Sequence, residues 1–213
     1  MSTQKHPPDE GPAGKARLLL SAMRLFGERG FDGVSVREIA TDAGVSVGLI
    51  KHHYGSKAGL RQAVDEDFIG RFEAFYGNSE RPVENLRGGE VIATVDAWVA
   101  SVADEWPVFS RYFRRALLEQ TDWGAALFQR YFDLVRASIE RLDAQGRLRS
   151  DVDRLWLPFL FIFLETGTLL LDPYIESVLG RSGYEPDLWK RRYRAYGDMI
   201  ARGVMVPSRG KSS

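Results

Sequence analysis

The segment from Ser35 to Lys51 constrains the fold of this chain more tightly than any other. Two short runs, Val36–Ala43 and Val47 to about His53, each follow a serine, and Gly44 stands between them. Ser35 is placed to cap the first run, with Glu38 three residues on to reach back and close a capping box. Ser46 is placed to cap the second. Gly44 supplies a left-handed turn residue that a Cβ would penalise. Ala40 lets two helices cross closely, and Ile50 plugs the angle between them. Any one of these is common, but their joint spacing predicts a helix-turn-helix rather than a hairpin in an ordinary bundle.

The remaining chain is punctuated into helix-length pieces with almost no strand signal. Leu18, Ala22 and Leu25, with Leu19, Met23 and Phe26, stripe a first helix that ends near Gly30. Ser56 opens a long helix striped by Leu60, Val64, Phe68 and Phe72, running to about Tyr76. After a loop at 77–89, helices are expected near 90–104, 107–119, 123–144, 152–179 and 186–203. Pro107 and Pro186 sit where a first-turn proline is tolerated, and Gly146 and Gly180 where helices stop. The expected fold is all-α with about nine helices.

Composition excludes several classes of function. Lys and Arg together number 29, as do Asp and Glu, and residues 1–60 carry eight basic against six acidic side chains. Any affinity for nucleic acid must therefore come from a local arrangement of donors and not from bulk charge. Absence of cysteine removes disulfides, thiolate zinc sites and cysteine nucleophiles. No glycine-rich loop follows a strand signal, and no nucleophile elbow, nor a carboxylate pair near a histidine outside the segment that carries the helix-turn-helix, supports an enzyme. His52 and His53 are adjacent, so they point about 100° apart on a helix, and no third ligand completes a metal site. No metal or cofactor is expected. The polar N-terminus lacks the apolar core of a secretory signal, and the apolar run Leu155–Leu171 is broken by Pro158, Glu165, Thr166, Gly167 and Thr168. A cytoplasmic protein with no membrane span is expected.

Ser35-Val36-Arg37-Glu38-Ile39-Ala40, then Ala43-Gly44-Val45-Ser46-Val47-Gly48-Leu49-Ile50, then His53-Tyr54-Gly55-Ser56-Lys57 and Leu60, resembles the DNA-binding segment of the tetracycline-repressor (TetR) family of regulators. The resemblance covers roughly residues 15–62 and implies a dimeric, all-helical regulator of double-stranded operator DNA. Lys51 stands where that family usually has a tyrosine that contacts phosphate. A lysine there can reach a phosphate, or O6 and N7 of guanine in the major groove. Val47, Gly48 and Leu49 open the recognition helix, where their chemistry suits thymine methyl contact. Ser35 and Ser46 are implied to present hydroxyls and N-terminal amides to phosphates. Arg37 and Lys57 flank the recognition helix, His52 should face the groove, and His53 matches the family histidine.

The regulatory half is rich in large aromatics, most of which must be core. The resemblance implies a ligand cavity among these helices, with Trp98, Phe109, Tyr112, Phe113, Phe128, Phe132 and Phe163 as candidate lining for a small apolar or aromatic effector. Glu165 interrupts the apolar run and needs a partner: an arginine such as Arg114 or Arg115, a hydroxyl, or a ligand. Trp189, Tyr193, Tyr196 and Ile200 on the last helix, with Gly167, Leu170 and Leu171 on the preceding one, are expected to form half of a four-helix homodimer interface. The expected organisation is a mobile arm at 1–14, a DNA-binding domain at 15–62, a ligand-binding and dimerisation domain at 63–205 and a mobile tail at 206–213. The function so implied is a repressor released from a pseudopalindromic operator by its effector. The rival reading is a helical carrier or adaptor that does not bind DNA.

Overall fold

The computed structural model describes residues 11–76, 100 and 102–206. Eight α-helices are present among the described residues: α1 Pro12–Arg29, α2 Val36–Ala43, α3 Val47–Tyr54, α4 Lys57–Tyr76, α5 Trp106–Leu118, α6 Asp122–Ala144, α7 Leu157–Leu179 and α8 Pro186–Gly203. The helix expected near 90–104 and the loop at 77–89 lie outside the described residues, as do residues 1–10 and 207–213. The all-α expectation holds. Extended pairing among the described residues is a single antiparallel bridge between Leu148 and Met205.

Two boundaries differ by more than a residue or so from the sequence expectation. α1 begins at Pro12, before its apolar stripe, because a first-turn proline is pre-set for the helix and lacks only an amide that would find no intrahelical partner. α7 begins at Leu157 because Asp153 turns the chain first, its Oδ1 accepting from the amides of Leu155 (2.8 Å) and Trp156 (3.0 Å). Gly30, Gly146 and Gly180 all have positive φ and stop helices as anticipated.

The chain divides into two compact units, one running up to Arg71 and including Glu105–Leu127, the other holding the residues from Phe128 onward. In the first unit, Leu18, Ala22, Met23 and Phe26 of α1 are buried with Ile39 and Ala40 of α2, Ile50 of α3, Leu60, Val64 and Phe68 of α4, and Phe109, Tyr112 and Phe113 of α5. Each such large apolar side chain contributes about 1.5–3 kcal/mol by leaving water. α1 and α5 approach so closely that a Cβ on Gly27 would lie 3.0 Å from the Tyr112 amide nitrogen. At the same crossing, the Arg115 guanidinium donates to the carbonyls of Gly27 (2.8 Å) and Glu28 (3.0 Å), a cation on the C-terminal end of α1.

In the second unit, Tyr131, Val135, Ile139 and Leu142 form the buried stripe of α6, and Ile162 and Leu169 that of α7. Trp189, Ile200, Val204 and Met205 complete this core. α7 is long and apolar enough to cross a membrane by length and composition, and only 28% of its most apolar stretch is buried within the chain. Thr166, Thr168, Glu165 and Asp172 interrupt it.

Candidate nucleic-acid interface

The turn between α2 and α3 is built from local hydrogen bonds. Ser35 Oγ accepts from the Glu38 amide (3.2 Å) while Glu38 Oε2 accepts from the Ser35 amide (2.8 Å), so the capping box is complete. These bonds and an ion pair with Arg29 at 2.8 Å hold the Glu38 carboxyl down at about 2, so it stays ionised. Gly44 adopts φ 65° and ψ 37°, and Val45 donates back to the Ala40 carbonyl at 2.9 Å. Ser46 Oγ accepts from the Leu49 amide at 3.3 Å and starts α3. Ala40 and Ile50 are buried to 1% and 2% exposure, closing the angle between the two helices.

α3 ends at Gly55 (φ 70°), and Ser56 Oγ then accepts from the Gly59 amide at 3.0 Å. A Cβ on Gly59 would lie 2.1 Å from the Tyr54 carbonyl oxygen, so the start of α4 is pressed onto the end of α3. Val47, Gly48, Lys51 and His52 are exposed and, at i, i+1, i+4 and i+5, share one face of α3. Leu49 is buried, its place in the core fixed by the same helical phase that turns Val47 and Gly48 outward. An open cleft of about 740 Å³ lies beside this face, lined among others by Ser35, Val36, Val47, Lys51, Ser56 and Lys57. Arg37 and Lys51 are exposed and form no ion pair among the described residues. Lys57 is half-buried, its ammonium 4.3 Å from the centre of the Phe31 ring. His52 contacts His53 edge to face at 4.8 Å, and groups of three or more residues able to hold a metal are absent among the described residues.

This geometry sits in a segment, residues 18–64, that matches the sequence profile of the bacterial regulatory proteins, tetR family. The chain is 32% identical over 162 residues to the HTH-type transcriptional regulatory protein RaaS of Mycobacterium tuberculosis, covering 73% of this chain and 69% of that protein. It belongs to the TetR family. The HTH-type transcriptional repressor Rv1474c of the same organism is 27% identical over 201 residues, 92% of this chain and 95% of the relative. In fold, a transcriptional regulator of Saccharomonospora viridis, solved in complex with choline, matches with a TM-score of 0.57 and 20% identity over 92% of this chain and all of that one. As a member of the TetR family, the protein is a non-enzymatic, DNA-binding transcriptional regulator.

In this TetR-family chain the residues suggested as ligand lining are divided between the two units. Phe109, Tyr112 and Phe113 lie in the first and pack around Phe68, with ring centres 5.8, 6.0 and 5.0 Å from it. Phe128, Phe132, Phe163 and Glu165 lie in the second, and Trp98 lies outside the described residues. Phe132 contacts Phe159 at 4.8 Å, and Phe163, itself 55% exposed, reaches Phe159 at 6.1 Å. A surface groove of about 480 Å³ in the second unit runs past Trp156, Leu160 and Phe163.

Glu165 takes its partners from α8, not from Arg114 or Arg115 of α5. The charge of Arg192 and a hydrogen bond from Tyr193 hold its carboxyl down, but burial outweighs them and pushes it up. Arg115 is engaged instead at the end of α1 and with Glu119. Of the expected dimer residues, Trp189 and Ile200 are buried in their own chain, Trp189 edge-on to Tyr184 at 5.0 Å. Gly167, Leu170, Tyr193 and Tyr196 are half-buried, and Leu171 is exposed. Leu160, Phe163, Leu171, Tyr174 and Val178 are all exposed and follow one another at three-, four- and eight-residue steps along one side of α7.

Sequence reasoning did not single out Arg61, Asp65 or Trp123. The Arg61 guanidinium lies over the rings of Phe31 (4.1 Å) and Trp123 (4.8 Å). Asp65 accepts from Tyr112 and Trp123. The available signal was an arginine and an aspartate four residues apart, alongside the Leu60, Val64 and Phe68 stripe.

Proposed function

We propose that this regulator is a cytoplasmic homodimeric repressor whose two α3 helices enter successive major grooves of a pseudopalindromic operator, and which a small apolar or aromatic effector releases. The observation that carries the reading is the uncovered face of α3. Gly48 sits there with only Ser46 Oγ, at 3.7 Å, near the place a Cβ would take. A glycine inside a helix costs about 1 kcal/mol relative to alanine, and no crowding among the described residues requires it. Close approach of DNA explains it, with Val47 against a base methyl and Lys51 and His52 reaching base edges or phosphate. Arg37 and Lys57 serve as phosphate contacts, assisted by the amides that open α2 and α3.

One α3 reads only a few base pairs, so specificity calls for a second copy. The exposed row on α7 supports α7 as the main dimer helix, with Gly167 allowing close helix contact, Leu170 and Leu171 at the seam, and Tyr193 and Tyr196 of α8 beside them. Choline bound to a regulator of the same fold supports a small-molecule response in general. The groove past the exposed Trp156 and Phe163 favours an apolar guest, with Phe128, Phe132 and Glu165 as further candidates in the same unit.

The release step is tested by screening aromatic and lipophilic metabolites by thermal shift, then titrating DNA binding with each hit. A true effector weakens DNA binding roughly 5–150-fold. A compound that stabilises the protein yet leaves DNA affinity unchanged at saturation contradicts the switch.

A further inference from the structure

The first unit contains a polar junction that its hydrophobic packing does not require. Asp65, in the middle of α4, receives two hydrogen bonds from two other helices: Tyr112 Oη of α5 donates to Oδ1 at 2.6 Å, and Trp123 Nε1 of α6 donates to Oδ2 at 2.7 Å. We propose that Asp65 is a positioning residue for DNA binding, setting the placement of α4 and, through it, of Lys57 and the exposed face of α3. The proposal rests on the DNA-binding reading of α3.

A carboxylate among Val64, Phe68 and Tyr112 is costly unless satisfied, and an apolar contact of similar size would stabilise as well or better. Two charge-assisted bonds on separate oxygens instead fix a position. Any shift of α4 along its axis changes the length and angle of both bonds at once. The donors are themselves held firmly. Tyr112 is fully buried, and its hydroxyl stays protonated because burial and the neighbouring carboxylate both push its pKa well up. Trp123 is fixed from behind, since a Cβ on the next residue, Gly124, would lie 2.1 Å from the Ala116 carbonyl oxygen.

Contacts along α4 connect the junction to the DNA-facing surface. Arg61, one turn before Asp65, lies over the rings of Trp123 and Phe31, and Lys57, one turn earlier, has its ammonium 4.3 Å from the centre of the same Phe31 ring. Gly59 is pressed against the last carbonyl of α3. The order Asp65, Arg61, Gly59, Lys57 therefore runs in one direction along α4 from the junction to α3.

The test uses the full-length protein and a duplex selected from random sequence by the unaltered protein. Asp65→Asn keeps the shape but offers an NH2 to one donor, and Tyr112→Phe removes one hydroxyl while keeping the ring. Affinity is measured across salt concentrations, and amide exchange of residues 47–62 is measured without DNA. The proposal predicts about tenfold weaker binding with the salt slope reduced by about 0.9, the loss of one phosphate contact. It also predicts faster exchange in 47–62, with α1 unaffected. A merely structural role lowers the folded fraction, which scales affinity without altering the slope, so an unchanged slope with exchange accelerated throughout the unit overturns the proposal. Unchanged affinity and exchange also overturn it. If the unaltered protein selects no duplex, the DNA-binding reading fails first, and the exchange pattern alone still decides whether Asp65 positions α3.

Discussion

α3 and α7 both present faces that their own chain leaves bare, yet the two faces differ in length, chemistry and origin. The α3 face is four residues, Val47, Gly48, Lys51 and His52, on an eight-residue helix whose start, turn and end are set by Ser46, Gly44 and Gly55. The α7 face runs from Leu160 to Val178 on a helix of 23 residues and is almost wholly apolar. A short, mixed face with an exposed lysine suits a charged polymer approached edge-on, where hydrogen-bonding atoms matter more than area. A long apolar row gains by removing area from water and suits a second helix of the same kind. In the proposed function, the first serves as the reading surface and the second brings two readers together.

The largest effect should come from the α7 face. Leu171→Glu with Val178→Glu places charges where a partner helix would bury them, and sedimentation should show monomers. Specific DNA affinity should fall by at least about 100-fold, because one half-site remains while the α3 face is untouched. A dimer that survives both substitutions would end the assignment of that face.

A smaller effect is expected at Lys51. Lys51→Ala should cost about 1–3 kcal/mol concentrated on one base pair if the ammonium reads guanine, or a uniform loss with a salt slope lower by about 0.9 if it meets phosphate. Titrating single-position operator variants separates the two, and unchanged affinity would remove Lys51 from the reading face.

Gly48 sharpens the contrast further. Gly48→Ala should raise stability to urea by up to about 1 kcal/mol, since the helix gains and no described residue is displaced. The same change should weaken operator binding by crowding the base edges. A variant that is both more stable and equally tight would show that Gly48 serves no contact.

How much was legible follows the same division between the two regions. Ser35, Glu38, Ala40, Gly44, Ser46 and Ile50 were readable because each acts on neighbours within a few residues, and the geometry that results is the one their spacing implies. Leu49 shows the limit even there: the motif gives the helix, but the helical phase decides which of its residues turn inward. Beyond the α2–α3 turn, periodicity identified helices without telling which rings had partners. Phe109, Tyr112 and Phe113 read as ligand lining, yet they close around Phe68, some forty residues away, and sequence spacing carries no record of such a meeting. Glu165 was recognisable as a group needing a partner, but the partner lay on α8. The Asp65 junction draws on three helices and was invisible for the same reason.

The smallest predicted effect concerns the Glu165 carboxyl. Burial raises the Glu165 pKa above its unfolded value, so the ionised form is the less favoured in the fold. Stability is therefore greatest at pH below the unfolded value and falls as pH rises through the window between the unfolded and folded values. Glu165→Gln should flatten that decline and slightly raise the melting temperature at neutral pH, as followed by circular dichroism from pH 4 to 8. A melting temperature that drops at neutral pH would show that the charge contacts with Arg192 and Tyr193 outweigh burial.

The most direct measurement for the account as a whole is selection of bound duplexes from a random library, sequenced after several rounds at physiological salt. The account predicts an inverted repeat whose half-sites lie about one helical turn, roughly 34–36 Å, or a multiple of it, apart. It also predicts that substitutions at Val47, Gly48, Lys51 or His52 alter the selected bases, while Leu171→Glu with Val178→Glu abolishes the repeat. Failure to enrich any sequence, or enrichment of an asymmetric site that the α7 variant binds equally well, would contradict it.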